Sequence, residues 1–281
     1  MRGISLLKRA AKADPKKSLG FYQAAFERFQ IAAIQNPGYF QAHLSWGHGL
    51  YNLARSQRDT PKDQWKNFQS ACKQYELAHL AQPEDFDALK FWALSLRGLA
   101  QNKREKDPDQ CYRLAYEKFD NACSLPEKNH DGFYHWGRTV FQQAKKKDPA
   151  LARALLRESC EIFERAAKQQ KNRPDIHNDW GVSLLLLANL AENEAEKQNL
   201  LSEAQSKCLD AEKIKSGFAS YNLACIASLS GDLDNCRSYL ETAREQFKIP
   251  SPGHLANDPD FKNVRNTDWF KALTQKVREE F

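Results

Sequence analysis

The chain has 281 residues, 28% of them charged and 41% hydrophobic, with a formal net charge of +6. That balance excludes a disordered chain, and seven cysteines without a C-x-x-C pair exclude a disulfide framework. No apolar run reaches the roughly 18 residues of a membrane span; the longest, Val182 to Leu190, is interrupted by Ser183 and Asn189.

Trp46, Trp92, Trp136 and Trp180 recur every 44 to 46 residues, each followed by a residue with little side chain: Gly47, Ala93, Gly137 and Gly181. Seventeen residues before each tryptophan stands an aromatic-x-x-Ala pair: Phe29/Ala32, Tyr75/Ala78, Phe119/Ala122 and Phe163/Ala166. A repeat of this period means a solenoid in which each unit buries its apolar face against its neighbours.

In chain order, the first 37 residues read as a repeat that begins halfway through. Gly3 to Asp14-Pro15 matches Gly137 to Asp148-Pro149, and Phe29, Ala32 and Pro37 then fall in register. Either the natural chain starts with a truncated helix or residues before Met1 have been lost, and a second copy could supply the missing half. This basic, acid-free start leaves organelle import open, while the apolar core at Ile4 to Leu7 is too short for a secretory signal.

The first complete repeat runs from about Tyr39 to Pro83. Leu44, Trp46, Leu50, Leu53 and Ala54 have helical spacing, and Asp59-Thr60-Pro61 ends one helix and caps the next. The second repeat, Phe86 to Pro126, turns at Asp107-Pro108, and the third, Asp131 to about Arg173, at Asp148-Pro149. The fourth, Pro174 to Lys215, turns without proline at Ala191 to Lys197. A shorter fifth repeat turns at Gly231-Asp232. The tail, 249–281, predicts two short helices, 258–264 and 267–277, with Leu255, Phe261, Val264, Trp269 and Phe270 covering the last apolar face. The expected organisation is therefore a repeat array over residues 1–248 and a capping segment over 249–281.

The fifth repeat, from Tyr221-Asn222-Leu223-Ala224 through Gly231, Cys236, Leu240 and Ala243, resembles a tetratricopeptide (TPR) repeat. The others resemble an elongated form of it: Ala71, Tyr75, Ala78 and Pro83 match its second-helix pattern, and Gly47, Ala93, Gly137, Gly181 and Ala224 its first-helix small residue. Tryptophan stands where the family usually has leucine, and His43, Leu89, Phe133 or His177 where it usually has tryptophan. About ten extra residues lengthen each helix of a pair by roughly 7 Å. The resemblance implies an all-α, right-handed superhelical solenoid of about five and a half helix-turn-helix repeats.

It also implies a concave groove lined by the first helices, with Leu44, Lys90, Tyr134, Asn178 and Tyr221 on one line. His48, Leu94, Arg138, Val182 and Cys225 form a second, and Tyr51, Arg97, Phe141, Leu185 and Ser228 a third. The residues expected to hold a partner's peptide or helix are His48, Tyr51, Lys90, Arg97, Tyr134, Arg138, Asn178 and Tyr221; Arg and Tyr are common anchors. Asp87, Asp131 and Asp175 lie one turn earlier, where they either face the groove or complement helix N-termini. The carboxylate clamp of some family members is not expected, because the matching asparagines are absent.

A second surface is a basic rim. Lys8, Arg9 and Lys12, then Arg55, Arg58 and Lys62, then Lys103, Arg104 and Lys106, then Lys145, Lys146 and Lys147 fall at the same turn of successive repeats. Cations there complement helix C-termini; the alternative is an electrostatic strip for an acidic protein, RNA or anionic membrane. The rim lacks interleaved aromatics for base stacking and changes sign at Glu192, Glu194 and Glu196.

No phosphate loop, H-E-x-x-H or G-x-S-x-G is present. Glu76-x-x-His79 occurs once, short of the set a bundle metal site needs, and Glu158, Glu161 and Glu164 read as a solvated stripe. His130, His177 and His254 sit near turns without ligand-spaced partners. Cys72, Cys160, Cys208 and Cys236 fall at small or apolar positions of the repeat, as free thiols in the cytoplasm or another reducing compartment do. The sequence thus predicts a non-catalytic adaptor or scaffold without cofactor or metal, its partner a protein segment in the groove. The alternative is electrostatic binding of RNA or anionic membrane through the rim.

Overall fold

The structure, a computed structural model, describes residues 2–125, 129–246 and 249–280, with the side chains of Pro15, Lys16, Asn129 and His130 left out. The expected boundaries at Pro126 and Lys248 and the His130 ring lie outside the described residues. Among those residues the chain is helical and carries no strand. It divides into two compact units, Met1–His135 and Trp136–Phe281.

The first unit holds α1 (Arg2–Lys12), α2 (Pro15–Gln35), α3 (Phe40–Ser56), α4 (Pro61–Ala81), α5 (Phe86–Gln101) and α6 (Pro108–Ser124), and α7 (Asn129–Ala144) begins in it. The second continues with α8 (Pro149–Gln169), α9 (Pro174–Ala188), α10 (Glu194–Ile214), α11 (Ser220–Leu229) and α12 (Leu233–Glu245). It ends with α13 (Pro252–Asn257), a 3-10 turn at Pro259–Phe261 and α14 (Asp268–Glu280).

Turn chemistry sets the starts. Proline occupies the first turn of α4, α6 and α8, where its missing N–H costs nothing. Asp107 accepts from the Gln110 N–H at 2.9 Å and Asp148 from the Leu151 N–H at 3.0 Å. Thr60 is a correction, because its hydroxyl makes no such bond. The expected 191–197 turn is also shorter than read. Asn193 accepts from the Glu196 N–H at 2.9 Å, so α10 already begins at Glu194.

The extra residues of the long repeats lie in the helices. The fifth pair has 10 and 13 residues, whereas α3 and α4 have 17 and 21. In the fourth pair most of the added length falls on the second helix, α9 and α10 having 15 and 21 residues, whereas α5 and α6, with 16 and 17, gain more on the first.

Consecutive helices pack on one another within each unit, and first helices also touch across a repeat, α3 with α5 and α9 with α11. The signature small residues make this approach possible. A β-carbon on Gly47 would meet the Tyr75 ring at 2.7 Å, one on Gly137 the Phe163 ring at 3.0 Å, and one on Gly3 the Phe29 ring at 2.8 Å. The contact at Gly3 shows that α1 keeps the register of a first helix. Burying rings such as Tyr75, Phe119 and Phe163 contributes on the order of 1.5–3 kcal/mol each.

The tryptophans lie half-buried beside these contacts. The Lys118 ammonium sits 4.5 Å from the Trp92 ring and Lys207 4.1 Å from Trp180. His43 bridges from the family's usual tryptophan position to the Pro37 carbonyl at 2.8 Å and Gln74 at 2.8 Å. His177 reaches the Lys171 carbonyl, also six residues upstream, at 3.1 Å.

The tail differs from the two expected helices. Ser251 and Pro252 start α13 earlier, and Asp258 caps only a single 3-10 turn. Leu255, Phe261, Val264 and Phe270 are buried in one cluster with Leu223, Ile226 and Leu240, and Trp269 packs against it.

Candidate partner-binding site

The structure gives most of the expected groove residues partners inside the protein. His48 accepts or donates at Nδ1 to the Tyr75 hydroxyl at 2.8 Å and lies edge-on to Phe91 at 4.5 Å. Burial lowers its pKa against the pull of Asp87. Tyr51 and Tyr134 are buried, at 5% and 7% exposure.

Lys90 joins two repeats of the first unit. Its ammonium is 3.0 Å from Asp87 Oδ1 and 3.0 Å from Asp131 Oδ2, above the rings of Phe86 and Phe91. Burial would lower its pKa, but the two carboxylates outweigh it and the pKa is raised. The aspartates thus serve as ion-pair partners, and the cap of α5 is Asp85, which accepts from the Ala88 N–H at 2.7 Å. Asp175 likewise pairs with Arg173.

In the second unit Arg138 lies 3.3 Å from Asp179. Asn178 accepts from Asn222 at 2.7 Å, and the Tyr221 hydroxyl donates to Asp258 at 2.6 Å. Asp258, Asp260 and Cys225 form the one metal-type grouping among the described residues, with donor atoms within 4.8 Å of one another. Its acids are already engaged, Asp260 by the Asn189 amide at 3.1 Å.

The rim residues Lys8, Arg9, Lys12, Arg55, Arg58, Lys62, Lys103, Arg104, Lys106, Lys145 and Lys146 are exposed, and Lys147 is half-buried. The expected change of sign is neutralised locally. Glu196 takes Arg153 at 3.0 Å and Arg157 at 3.2 Å, and Glu192 lies 3.4 Å from Arg153. Glu158 is half-buried, a correction to the solvated stripe, and burial beside Glu161 raises its pKa. Glu76 pairs with Lys73 at 2.9 Å and His79 lies against Trp92.

Two sets that the sequence kept apart meet in the first unit. Groove residues Tyr51 and Arg97 and rim residues Arg55 and Arg58 line one cavity of about 170 Å³, completed by Gln64, Phe68, Leu94, Gly98 and Gln101. Among the described residues none of those lining it is Asp or Glu. The Arg55 guanidinium rests over the Tyr51 ring at 5.7 Å. Gln64 is fixed by donating to the Ala54 carbonyl at 3.2 Å and accepting from Asn102 at 3.0 Å. Gly98 lets α5 lie on Phe68, whose ring would sit 2.6 Å from a β-carbon there. The sequence carried one sign of this cavity: Tyr51 and Arg55 are four residues apart on a helix and so share a face.

No protein-family model matches the sequence, and no curated protein matches it. Solved structures do match its fold. A monomeric mutant of IFIT1 holding m7Gppp-AAAA is 11% identical, with 93% of this chain and 55% of that one covered and a TM-score of 0.57. The human IFIT1 dimer with m7Gppp-AAAA is 11% identical over 92% and 55%, with a TM-score of 0.55. YrrB, a TPR protein with an unusual peptide-binding site, is 16% identical over 77% and 91%, with a TM-score of 0.48. The chain thus spans about 55% of the length of the IFIT1 chains. It is a helical-repeat protein of the TPR-like kind.

Proposed function

We propose that the chain is a non-catalytic adaptor that holds an acidic segment of a partner protein against the first unit, in a reducing compartment such as the cytoplasm. The meeting of the exposed Arg55 and Arg58 at one cavity without a lining carboxylate carries this reading. Elsewhere arginines meet acids of the same chain, as in Arg138–Asp179, Arg153–Glu196 and Arg244–Glu280. Among the described residues Arg55 and Arg58 have no acid within ion-pair distance, so an external anion is the partner their charge favours. The TPR-like fold supports a scaffold role through its repeated helix faces.

The second reading, RNA or anionic membrane at the basic rim, draws on the exposure of the rim cations and on the capped RNA in the IFIT1 structures. Affinity purification of the tagged chain, washed at low and high salt with and without ribonuclease, separates the two. A protein retained after ribonuclease supports the adaptor. Nucleic acid or lipid that elutes with salt, with no protein partner, refutes it.

A further inference from the structure

We infer that the groove between α13 and α14 is a docking site for an acidic peptide segment, built within the second unit and separate from the first-unit cavity. Arg265, Lys271 and Arg278 line a cavity of about 420 Å³ there, floored by the buried Phe270 and Thr274, and no Asp or Glu lines it. Among the described residues none of the three cations has a carboxylate within ion-pair distance. The last acids of α14 are engaged elsewhere: Glu280 pairs with Arg244 at 2.6 Å, and Glu279 accepts from the Gln275 amide at 3.0 Å. Other exposed cations of the unit hold acids of their own chain, as Arg237 holds Glu241 at 3.1 Å and Lys213 holds Asp210 at 2.9 Å.

The fold does not account for this charge by itself. Arg278 lies in the last turn of α14, where the helix dipole favours a cation, but Lys271 lies near its start, where the dipole opposes one, and Arg265 precedes the helix. Arg265 is half-buried. Its guanidinium donates to the Asp258 carbonyl at 2.7 Å, and its buried Nε meets no acceptor among the described residues. A carbonyl is a neutral acceptor, so a partly desolvated charge is left without a counter-ion, and an anion from outside would supply it. Because packing already holds this side chain, less of the ordering cost remains for a ligand to meet.

Spacing and lining decide the carrier. Lys271 and Arg278 are seven residues apart on one helix, which separates their α-carbons by about 10 Å along the axis. An extended chain places alternate side chains on one side at intervals of about 7 Å, so acids along it can meet cations spread along the groove. A single phosphate gathers its oxygens around one atom. Small-molecule sites are lined mostly by apolar groups, whereas three charged residues line this one. Phe270, Leu273 and Val277 are 0–6% exposed, so the groove face of α14 offers no ring to stack a base and no large apolar side chain to enter a bilayer.

The test uses the full chain and the fluorescence anisotropy of a labelled peptide that alternates glutamate with glycine, beside its counterpart with glutamine for glutamate. Arg55→Gln with Arg58→Gln forms the background, which removes the two exposed arginines of the first-unit cavity. The expected result is binding of the glutamate peptide alone, weakened about tenfold or more when Lys271→Gln and Arg278→Gln are added. Lys262→Gln with Lys276→Gln takes the same charge from exposed residues outside the groove and should leave the affinity unchanged. Arg278 is exposed and in the last turn, so Arg278→Gln alone carries the test if the groove pair loses its helical circular dichroism. Equal binding of the glutamine peptide, undiminished affinity of the groove variant, or equal weakening by the Lys262 and Lys276 changes would overturn the proposal. So would binding of inorganic phosphate or phosphatidylserine vesicles in place of the peptide. Binding that vanishes in the background alone would overturn it while leaving the adaptor reading intact. Binding that persists there, with no protein partner retained in the affinity purification, would refute only the adaptor.

Discussion

Gly47 lies so close to Tyr75 that a β-carbon on it would stand 2.7 Å from the ring's Cε1. The two residues are the small and aromatic positions of one repeat, and Gly3 with Phe29 and Gly137 with Phe163 reproduce the contact. Ala93 fills the same position with a methyl group, buried at 0% exposure. The repeat period is therefore a packing distance written into sequence: wherever the ring comes closest, the facing residue has little or no side chain.

Gly47→Ala should lower stability by about 1–3 kcal/mol, because Tyr75 is fully buried and its hydroxyl is tied to His48, which limits how far the ring can move. Gly20→Ala provides the control. It lies inside α2 with open space around its α-carbon, so the methyl should add roughly 0.5–1 kcal/mol of helix propensity. Urea unfolding midpoints should move in opposite directions. Parallel shifts would contradict the packing account.

Lys90→Met should cost on the order of 1–3 kcal/mol by leaving Asp87 and Asp131 without their shared cation. The folded pKa of Lys90 is raised, so its contribution is full below the unfolded value near 10.4 and is lost as pH rises through the folded value. The difference between wild type and variant, measured by denaturant titration, should be constant at neutral pH and shrink only in strong alkali. A difference that vanished near pH 8 would rule out the ion pair as its source.

The thiols give a second pH dependence of opposite origin. Burial pushes Cys111 up to about 11 and Cys208 and Cys236 up to about 12. Above about pH 8.5 the unfolded chain loses these protons while the folded chain keeps them, so stability falls with pH by about 1.4 kcal/mol per unit for each such thiol. Iodoacetamide at pH 8 should leave Cys208 and Cys236 unmodified in the native chain and label them in urea, as mass spectrometry would show. Prompt labelling of both without denaturant would show that the core opens.

Fold and site differed in how far the sequence disclosed them. The helix pairs were legible because tryptophan-small and aromatic-x-x-Ala recur at one period and because Asp-Pro marks the turns. The tail was less legible, since Ser251-Pro252 and Asp258-Pro259 both open short helices and no period chooses between them. Spacing places the expected groove residues on lines of positions, one per repeat. The structure shows instead that Lys90 is engaged by Asp87 one turn before it and by Asp131, 41 residues away, and Tyr221 by Asp258, 37 residues away; no spacing ties either distant acid to its partner. Their place at a turn puts Arg55 and Arg58 on the rim. Their meeting with Arg97 depends on how α3, α4 and α5 stack, which spacing alone does not specify.

The most direct measurement of the central claim compares two charge variants of the tagged full chain in quantitative affinity purification from its native source. One carries Arg58→Gln and Arg97→Gln; the other carries Lys145→Gln, Lys146→Gln and Lys147→Gln. The expected result is loss of the protein partner in the arginine variant and retention in the lysine variant, with both chains equally helical. Retention by the arginine variant and loss from the lysine variant would contradict it, and would place the partner on the rim.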